Sequence, residues 1–260
     1  MIYPPEISAV KILFANIHFY GIIIAVAIGL CLFVVNFICK NIKKELSFDL
    51  FCDFLPIVIF SAIFGARIYY VILNFEYFFR HPLEIIFIWH GGLSIHGAII
   101  GGIVSLFLFL KIKKMPFLEY LDILSCVFPL GQAIGRWGNF FNQEAFGKPC
   151  NYFWCMYIQP QFRPLEYKNY DFFHPAFLYE SILDFLLFIF LLFLICRVNK
   201  LKRGTVSGLY LILYSIIRII TEHFRLDASV YIFNISLPVC VSFLILTFSI
   251  IFVTYIYKKI

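Results

Sequence analysis

The chain has 260 residues, of which 62% are hydrophobic and only 14% are charged, and its formal net charge is +6. Soluble domains carry about 25% charged residues, so this composition, with a mean hydropathy of +0.92, excludes an ordinary soluble domain and indicates a membrane protein. The positive charge calls for no nucleic-acid partner, because most of the excess lies in short loops between apolar runs.

Several apolar runs are long enough to cross a bilayer, for which about 20 residues are needed. We predict an all-α polytopic membrane protein, one integral domain over 1–260, with about seven spans near 17–38, 52–73, 92–110, 119–137, 177–196, 205–224 and 237–257. A long outer loop is expected at about 138–176, with room for short helices or strands. The first run lacks a basic n-region and has lysines after it, an order that fits a membrane helix and not a cleavable signal peptide.

Lysine and arginine are unevenly distributed among the predicted loops. One side of the membrane carries twelve: Lys40, Lys43, Lys44, Lys111, Lys113, Lys114, Arg197, Lys200, Lys202, Arg203, Lys258 and Lys259. The other side carries six: Lys11, Arg80, Lys148, Arg163, Lys168 and Arg225. The positive-inside rule therefore predicts an outer N-terminus and a cytoplasmic C-terminus. Cys150 and Cys155 share the outer loop, where an oxidising compartment permits a disulfide; the sequence leaves their pairing open.

Polar side chains of six predicted spans fall at the outer level of the membrane. In chain order they are His18 and Tyr20; Arg67, Tyr70 and Asn74; His90, Ser94 and His96; "GRWGNFFNQEAFG" at 135–147; His174, Tyr179 and Glu180; and Tyr214, Arg218, Glu222 and Arg225. Charged groups inside a bilayer are costly and tend to mark function. Because the inner halves of the spans are nearly bare of such groups, we predict one polar cavity open toward the outer leaflet.

Several of these residues also have a structural interpretation. Single tyrosines belong to interfacial aromatic belts, Arg67 can pair with a nearby acid, and Arg218 with Glu222 has the spacing of a helical ion pair. His96 has no routine packing role in an apolar helix.

The segment 135–147 carries the strongest functional signal. Gly135, Gly138 and Gly147 predict a helix broken at membrane depth, which is tolerated where the backbone lines a polar cavity. An arginine, amide side chains and free N–H groups make a donor-rich pocket that suits a phosphate or carboxylate.

These residue types favour chemistry on a phospholipid headgroup. Arg136 and Arg218 can bind a phosphodiester and stabilise a phosphate leaving group. His96 is suited to proton transfer near neutral pH, and Glu144 and Glu222 can orient the cations or share the role of base. A transporter or lipid-binding scaffold is the main alternative, although internal repeats are not evident; a different headgroup enzyme is the other.

Four segments carry a family resemblance: "GGLSIHG" (91–97), "GRWGNFFNQEAFG" (135–147), "HPAFLYE" (174–180) and "YSIIRIITEHFR" (214–225). In this order, from "FYG" at 19–21 to Arg225, they resemble the prolipoprotein diacylglyceryl transferases of bacteria. The pattern Gly-Arg-x-Gly-Asn-Phe-x-Asn-x-Glu followed by glycine is the most specific of them.

The resemblance implies transfer of the diacylglyceryl group of phosphatidylglycerol to the lipobox cysteine of a preprolipoprotein signal peptide, which forms a thioether and releases glycerol phosphate. It implies a multi-pass protein of the bacterial cytoplasmic (inner) membrane that needs no metal or organic cofactor. His96 matches the family's base, and Arg136 and Arg218 match its phosphate-stabilising arginines, with Glu144 as a further catalytic candidate. The other candidate substrate-binding residues are Tyr20, Arg67, Asn139, Gly147, Glu180, Tyr214 and Glu222.

The chain departs from the family pattern at three places. His18 and Phe19 stand where Arg-Trp is common, and Ala98 stands where a second glycine is expected. Residues 226–228 read Leu-Asp-Ala where Gln-Pro-Asp is common, which leaves the role of Asp227 open.

Overall fold

The computed structural model describes residues 1–5, 9–12, 15–198, 201–226, 231–232 and 235–258, with the backbone alone for 9–12, 15–18, His90 and 231–232. Asp227, Lys200 and Lys259 lie outside the described residues. The helices are α1 (Phe19–Asn41), α2 (Phe48–Leu73), α3 (Phe75–Arg80), α4 (Ile95–Ile112), α5 (Phe117–Asn142), α6 (Ala176–Arg197), α7 (Thr205–Glu222) and α8 (Leu237–Lys258). Three antiparallel hairpins accompany them: β1 (Ala9–Ile12) with β2 (Ala15–His18), β3 (Met156–Tyr157) with β4 (Phe172–Phe173), and β5 (Tyr231–Ile232) with β6 (Ile235–Ser236).

Within the described ranges, seven helices are long and apolar enough to cross a membrane, and only the short α3 is not among them. The predicted spans and the all-α class are thereby confirmed. The largest difference is in α5, which was expected to end near residue 137 and continues to Asn142. The predicted helix break at Gly135 and Gly138 is wrong, because neighbouring side chains pack against both glycines and the helix stays regular. Irregular backbone begins at Gln143, whose φ is 54°.

The chain forms two compact units. The main unit comprises Met1–Ile42 and Leu121–Ile260, and the other, the 43–120 unit, comprises Lys43–Tyr120. The expectation of a single integral domain stays a prediction.

Small residues bring α2 and α4 into contact in the 43–120 unit. A Cβ on Gly65 would lie within 3.0 Å of the Gly97 carbonyl oxygen, and one on Gly101 would equally collide with the α2 backbone. The Ser94 N–H donates to the Ala66 carbonyl at 3.1 Å. Apolar helices in lipid associate through such close backbone packing. The first turn of α4 is therefore held against the C-terminal half of α2.

Polar contacts connect α5, α6 and α7 in the main unit. The Ser181 hydroxyl on α6 donates to the Ala133 carbonyl on α5 at 2.7 Å. Asp122, near the start of α5, accepts from the backbone N–H groups of Gly204 and Ser207 at 2.7 and 2.8 Å. The first N–H groups of a helix have no partner within it, so Asp122 caps α7 from another helix.

The 143–175 segment between α5 and α6 has a small core of its own. Strands β3 and β4 pair with Met156 opposite Phe173, and Cys150 is bonded to Cys155. Short 3₁₀ turns occupy Pro160–Phe162 and Leu165–Tyr167. Its buried cluster, completed by the first turn of α6, contains Ala145, Phe146, Met156, Ile158, Phe173 and Phe177.

Candidate active site

Glu180 is a wholly buried carboxylate on α6 that three arginines surround. The Arg136 guanidinium on α5 donates to Glu180 Oε1. Arg218 on α7 and Arg225, just after α7, each place Nη1 3.5 Å from Glu180 Oε2. A buried charge requires such compensation. These four residues are called the arginine cluster below.

The arginine cluster makes a further ion pair and stays partly accessible. Arg218 Nη2 also lies 2.8 Å from Glu222 Oε2, one turn along α7, so the helical ion pair forms alongside the contact with Glu180. Three arginines then face two carboxylates, which leaves one formal positive charge among these five residues. The side chains of Arg136, Arg218 and Arg225 are 22%, 16% and 15% exposed, so the guanidiniums are not sealed off.

More polar side chains lie next to the arginine cluster. Tyr214 stacks on Tyr210 with ring centroids 5.7 Å apart, and the Tyr210 hydroxyl donates to Gln132 Oε1 at 3.1 Å. Asp184 is one turn from Glu180 on α6 and is also wholly buried. Neither carboxylate oxygen of Asp184 has a hydrogen-bond partner among the described residues. The polar region is therefore larger than the set of predicted site residues.

Two amides orient Glu144 where α5 ends. Asn139 Nδ2 and Asn142 Nδ2 donate to Glu144 Oε1 at 3.0 and 3.1 Å, and the Glu144 N–H donates to the Asn139 carbonyl at 3.0 Å. The Glu144 side chain is exposed. Of the predicted candidates, Asn139 and Glu144 thus form a pair of their own.

Gly147 joins three backbone segments. Its N–H donates to the His174 carbonyl at 2.7 Å, and it forms an antiparallel bridge with Arg225. A Cβ at this position would lie within 3.0 Å of the Phe224 carbonyl oxygen and of His174 Cβ. Gly147 therefore determines where the backbone places Arg225, and only a residue without a side chain fits there.

An aromatic group lies beside this junction. The Tyr179 hydroxyl is 2.9 Å from His174 Nδ1 and accepts a hydrogen bond from Trp154 Nε1 at 3.0 Å. The Tyr152 ring stacks on Trp154 at 4.7 Å. Burial lowers the pKa of His174 below its ordinary value, because the charged imidazolium loses hydration.

Tyr20 lies against the turn of α5 that carries Arg136 and Asn139. A Cβ on Gly138 would lie within 3.0 Å of the Tyr20 ring, and the Tyr20 side chain remains 43% exposed. The glycine that was expected to break α5 thus makes room for a predicted site residue.

The 43–120 unit holds the two other candidates. His96 is the second residue of α4; its side chain is exposed, and its ring centroid is 6.0 Å from that of Tyr69. Arg67 is only 6% exposed. Together with Tyr70 and Asn74 it lines a cavity of about 360 Å³.

Comparison with known proteins identifies the family. The sequence profile of prolipoprotein diacylglyceryl transferases matches residues 8–255. The chain belongs to this family. A phosphatidylglycerol–prolipoprotein diacylglyceryl transferase from Thermotoga maritima is 42% identical over 215 residues, which cover 82% of this chain and 72% of the relative. Relatives of the same name from Trichormus variabilis (42% identity, 82% and 76% covered) and Parasynechococcus marenigrum (41%, 82% and 77%) are similarly close.

In this diacylglyceryl transferase fold, nine of the eleven candidate residues lie in the main unit: Tyr20, Arg136, Asn139, Glu144, Gly147, Glu180, Tyr214, Arg218 and Glu222. Arg136, Glu180, Arg218 and Glu222 are joined in one network of ion pairs.

Arg225 and Asp184 are not among the predicted site residues. Arg225 follows Arg218 by seven residues, and that helical spacing in the sequence was the available signal. Asp184 is four residues from Glu180 in an otherwise apolar helix, a pair of acids that was itself a signal. Among the residues that the structure describes, no group of three or more His, Cys, Asp or Glu side chains is placed to hold a metal ion. The guanidiniums of the arginine cluster are suited to bind an oxyanion.

Proposed function

We propose that this transferase moves the diacylglyceryl group of phosphatidylglycerol to the lipobox cysteine of a prolipoprotein. The relatives carry both substrates in their name. The observation that carries the proposal is the arginine cluster: three guanidiniums converge on one buried carboxylate, and each of them stays partly exposed.

The reaction is a substitution at a glyceryl carbon. The cysteine S–H loses its proton to a base, and sulfur forms a C–S bond with the terminal carbon of the diacylglyceryl group. The C–O bond to phosphate breaks, and its electron pair leaves with the oxygen. The phosphodiester monoanion thus becomes glycerol phosphate, a monoester with additional negative charge. Groups that bind the product's charge better than the substrate's accelerate this step.

Arg136, Arg218 and Arg225 are the residues suited to that differential binding. Glu180 fixes the orientation of all three before the lipid arrives, so the donors need not reorganise as charge develops on the phosphate. Glu222 holds Arg218 from its other side.

The remaining candidates in the main unit have supporting roles in this proposal. Asn139 and Glu144, already joined by a hydrogen bond, offer an amide and a carboxylate to the glycerol hydroxyls of the headgroup. Tyr20 and Tyr214 shape the walls of the site, and Gly147 keeps Arg225 in place.

His96 is the proposed base. The thiolate, not the thiol, is the nucleophile, and imidazole is the side chain whose ordinary pKa lies closest to neutral pH. The His96 side chain is exposed at the start of α4, where a proton from a second substrate can reach it. Glu144 is the alternative base, because its carboxylate is also exposed.

We place the protein in the bacterial inner membrane with the site toward the outer leaflet and the C-terminus in the cytoplasm. The excess of basic residues in alternate loops supports this orientation. The Cys150–Cys155 disulfide supports it independently, because the 143–175 segment that carries the bond would then face an oxidising compartment.

The test is a mass-shift assay with purified protein, phosphatidylglycerol vesicles and a peptide that carries a lipobox cysteine. A diacylglyceryl mass on the cysteine is expected with wild-type protein, and its loss in Arg136→Ala. Arg80→Ala, an exposed arginine of α3, is the matched control and should retain activity. No modification by folded wild-type protein that still binds the lipid would contradict the proposal. Comparison of His96→Ala with Glu144→Gln separates the two candidate bases.

A further inference from the structure

We propose that Arg67 is a positioning residue: it holds the segment 84–92 against α2 and thereby places His96, and it does not bind the substrate phosphate. The sequence suggested a substrate-binding role for this buried arginine. The part of the inference that concerns His96 rests on the proposed function, whereas the attachment of the segment is a property of the fold.

The Arg67 guanidinium is occupied by the protein's own backbone. An arginine has five N–H groups in a fixed fork. Here they are directed at five carbonyl oxygens of one segment: Nε at Ile85 (2.9 Å), Nη1 at Gly91 (2.7 Å) and Gly92 (2.9 Å), and Nη2 at Glu84 and at Phe87 (3.5 Å). Its Cζ atom lies over the Phe78 ring, 5.1 Å from the ring centroid. A phosphate would have to displace these partners.

The apolar side chains in and beside the 84–92 segment are largely exposed. They do not form a core: Leu83, Ile86, Trp89 and Leu93 are 72%, 67%, 70% and 49% exposed. The regular structure of the segment consists of two short 3₁₀ turns, Pro82–Ile85 and Ile88–His90. Main-chain carbonyls without partners are costly inside a membrane. Arg67 donates to five such carbonyls from a single side chain, and of these the Glu84 carbonyl also accepts from the Phe87 N–H at 3.2 Å.

The two glycines at 91 and 92 are shaped for this contact. Their φ angles are +86° and +75°, which only glycine adopts without strain. This conformation turns both carbonyls toward Arg67 Nη1. A Cβ on Gly92 would lie 2.6 Å from the Tyr70 ring and 2.7 Å from Arg67 Nη1. The Gly-Gly pair is therefore part of the same contact between the segment and Arg67.

The contact continues directly to His96. Two residues after Gly92, the Ser94 N–H donates to the Ala66 carbonyl, next to Arg67 in the chain. Helix α4 then begins at Ile95, and the His96 ring lies near Tyr69. If the segment moves, the first turn of α4 loses its anchor and the imidazole changes position.

The experiment compares Arg67→Lys with Gly92→Ala in purified protein. Lysine keeps the positive charge but cannot span five carbonyls, and alanine at 92 opens the same contact while Arg67 remains. Both variants should lower kcat by about 10²-fold, the cost of a misplaced catalytic group, with the KM for phosphatidylglycerol unchanged. Hydrogen–deuterium exchange of the amides at 84–94 should accelerate in both. Arg80→Lys, an exposed arginine of the same unit, is the matched control for both measurements.

The outcomes distinguish the two roles. A raised KM in Arg67→Lys with normal exchange at 84–94 would assign Arg67 to the substrate and overturn the proposal. Normal exchange and normal kcat in Gly92→Ala would overturn it as well. Because exchange is measured without turnover, a wild-type protein that fails the transferase assay would contradict the proposed function and leave the test of the Arg67 contact intact.

Discussion

Replacement of Glu180 by glutamine removes the one negative charge that three arginines share. At 3.5 Å, each of Arg218 and Arg225 gains about 5 kcal/mol of Coulomb attraction to this carboxylate at an effective dielectric constant near 20. Desolvation offsets much of that attraction, and breaking a buried pair typically costs about 3–5 kcal/mol. We expect Glu180→Gln to lower Tm by about 6–20 °C, since a chain of this size loses roughly 2–4 °C for each kcal/mol.

The assay is thermal unfolding in one detergent at one scan rate, with and without phosphatidylglycerol. An anionic headgroup replaces part of the lost negative charge, so the lipid should raise the Tm of Glu180→Gln by more than it raises that of wild type. Glu166→Gln, the same change at an exposed site of the main unit, is the control and should unfold like wild type. A Glu180→Gln protein as stable as the control variant would refute the assignment of Glu180 as the shared counter-ion.

Three more perturbations test other parts of the structure. Gly147→Ala places a methyl group within 3.0 Å of the Phe224 carbonyl oxygen, so both Tm and transferase activity should fall, whereas Gly21→Ala, which meets open space, should leave both unchanged. Asp122→Ala removes the cap of α7 and should cost about 0.5–2 kcal/mol in unfolding measurements, while Asp53→Ala on the exposed face of α2 should not; equal stability would contradict the cap. Burial lowers the pKa of His174, so the stability it contributes is present above the ordinary pKa of about 6.5 and is lost as pH falls through that value toward the folded pKa. The decline of Tm from pH 7 to pH 5 should therefore be shallower in His174→Gln, and an identical pH profile would disprove this origin.

The positions of the helices along the sequence were predictable, whereas the ion-pair partners of their polar side chains were not. Runs of apolar residues identify spans because the bilayer requires about 20 of them. The spacing of Arg218 and Glu222 likewise predicted the ion pair that they form on α7. Which carboxylate receives the arginines depends on the packing of α6 beside α5 and α7, and no spacing within one helix encodes it.

One sequence interpretation was wrong for a physical reason. Gly135 and Gly138 were taken as helix breakers, which is their tendency in water, but a membrane helix keeps its backbone bonds and uses glycine for close packing. For Arg67 the sequence left a nearby acid open as partner, and its substrate-binding role stays a prediction. Its observed partners are backbone carbonyls, which every residue possesses and which residue types therefore cannot reveal.

The shared counter-ion also has a consequence for how the chain enters the membrane during synthesis. Arg136 precedes Glu180 by 44 residues, and Asp122 precedes the N–H groups that it caps by more than 80. A charged side chain costs about 2.5–3.5 kcal/mol at the centre of an isolated span and less toward its ends. When α5 is inserted, Arg136 and Asp122 therefore still lack the partners on α6 and α7 that they contact in the folded protein. We expect a nascent chain that ends before α7 to leave α5 loosely inserted and open to proteolysis, and one that extends past Arg225 to be protected.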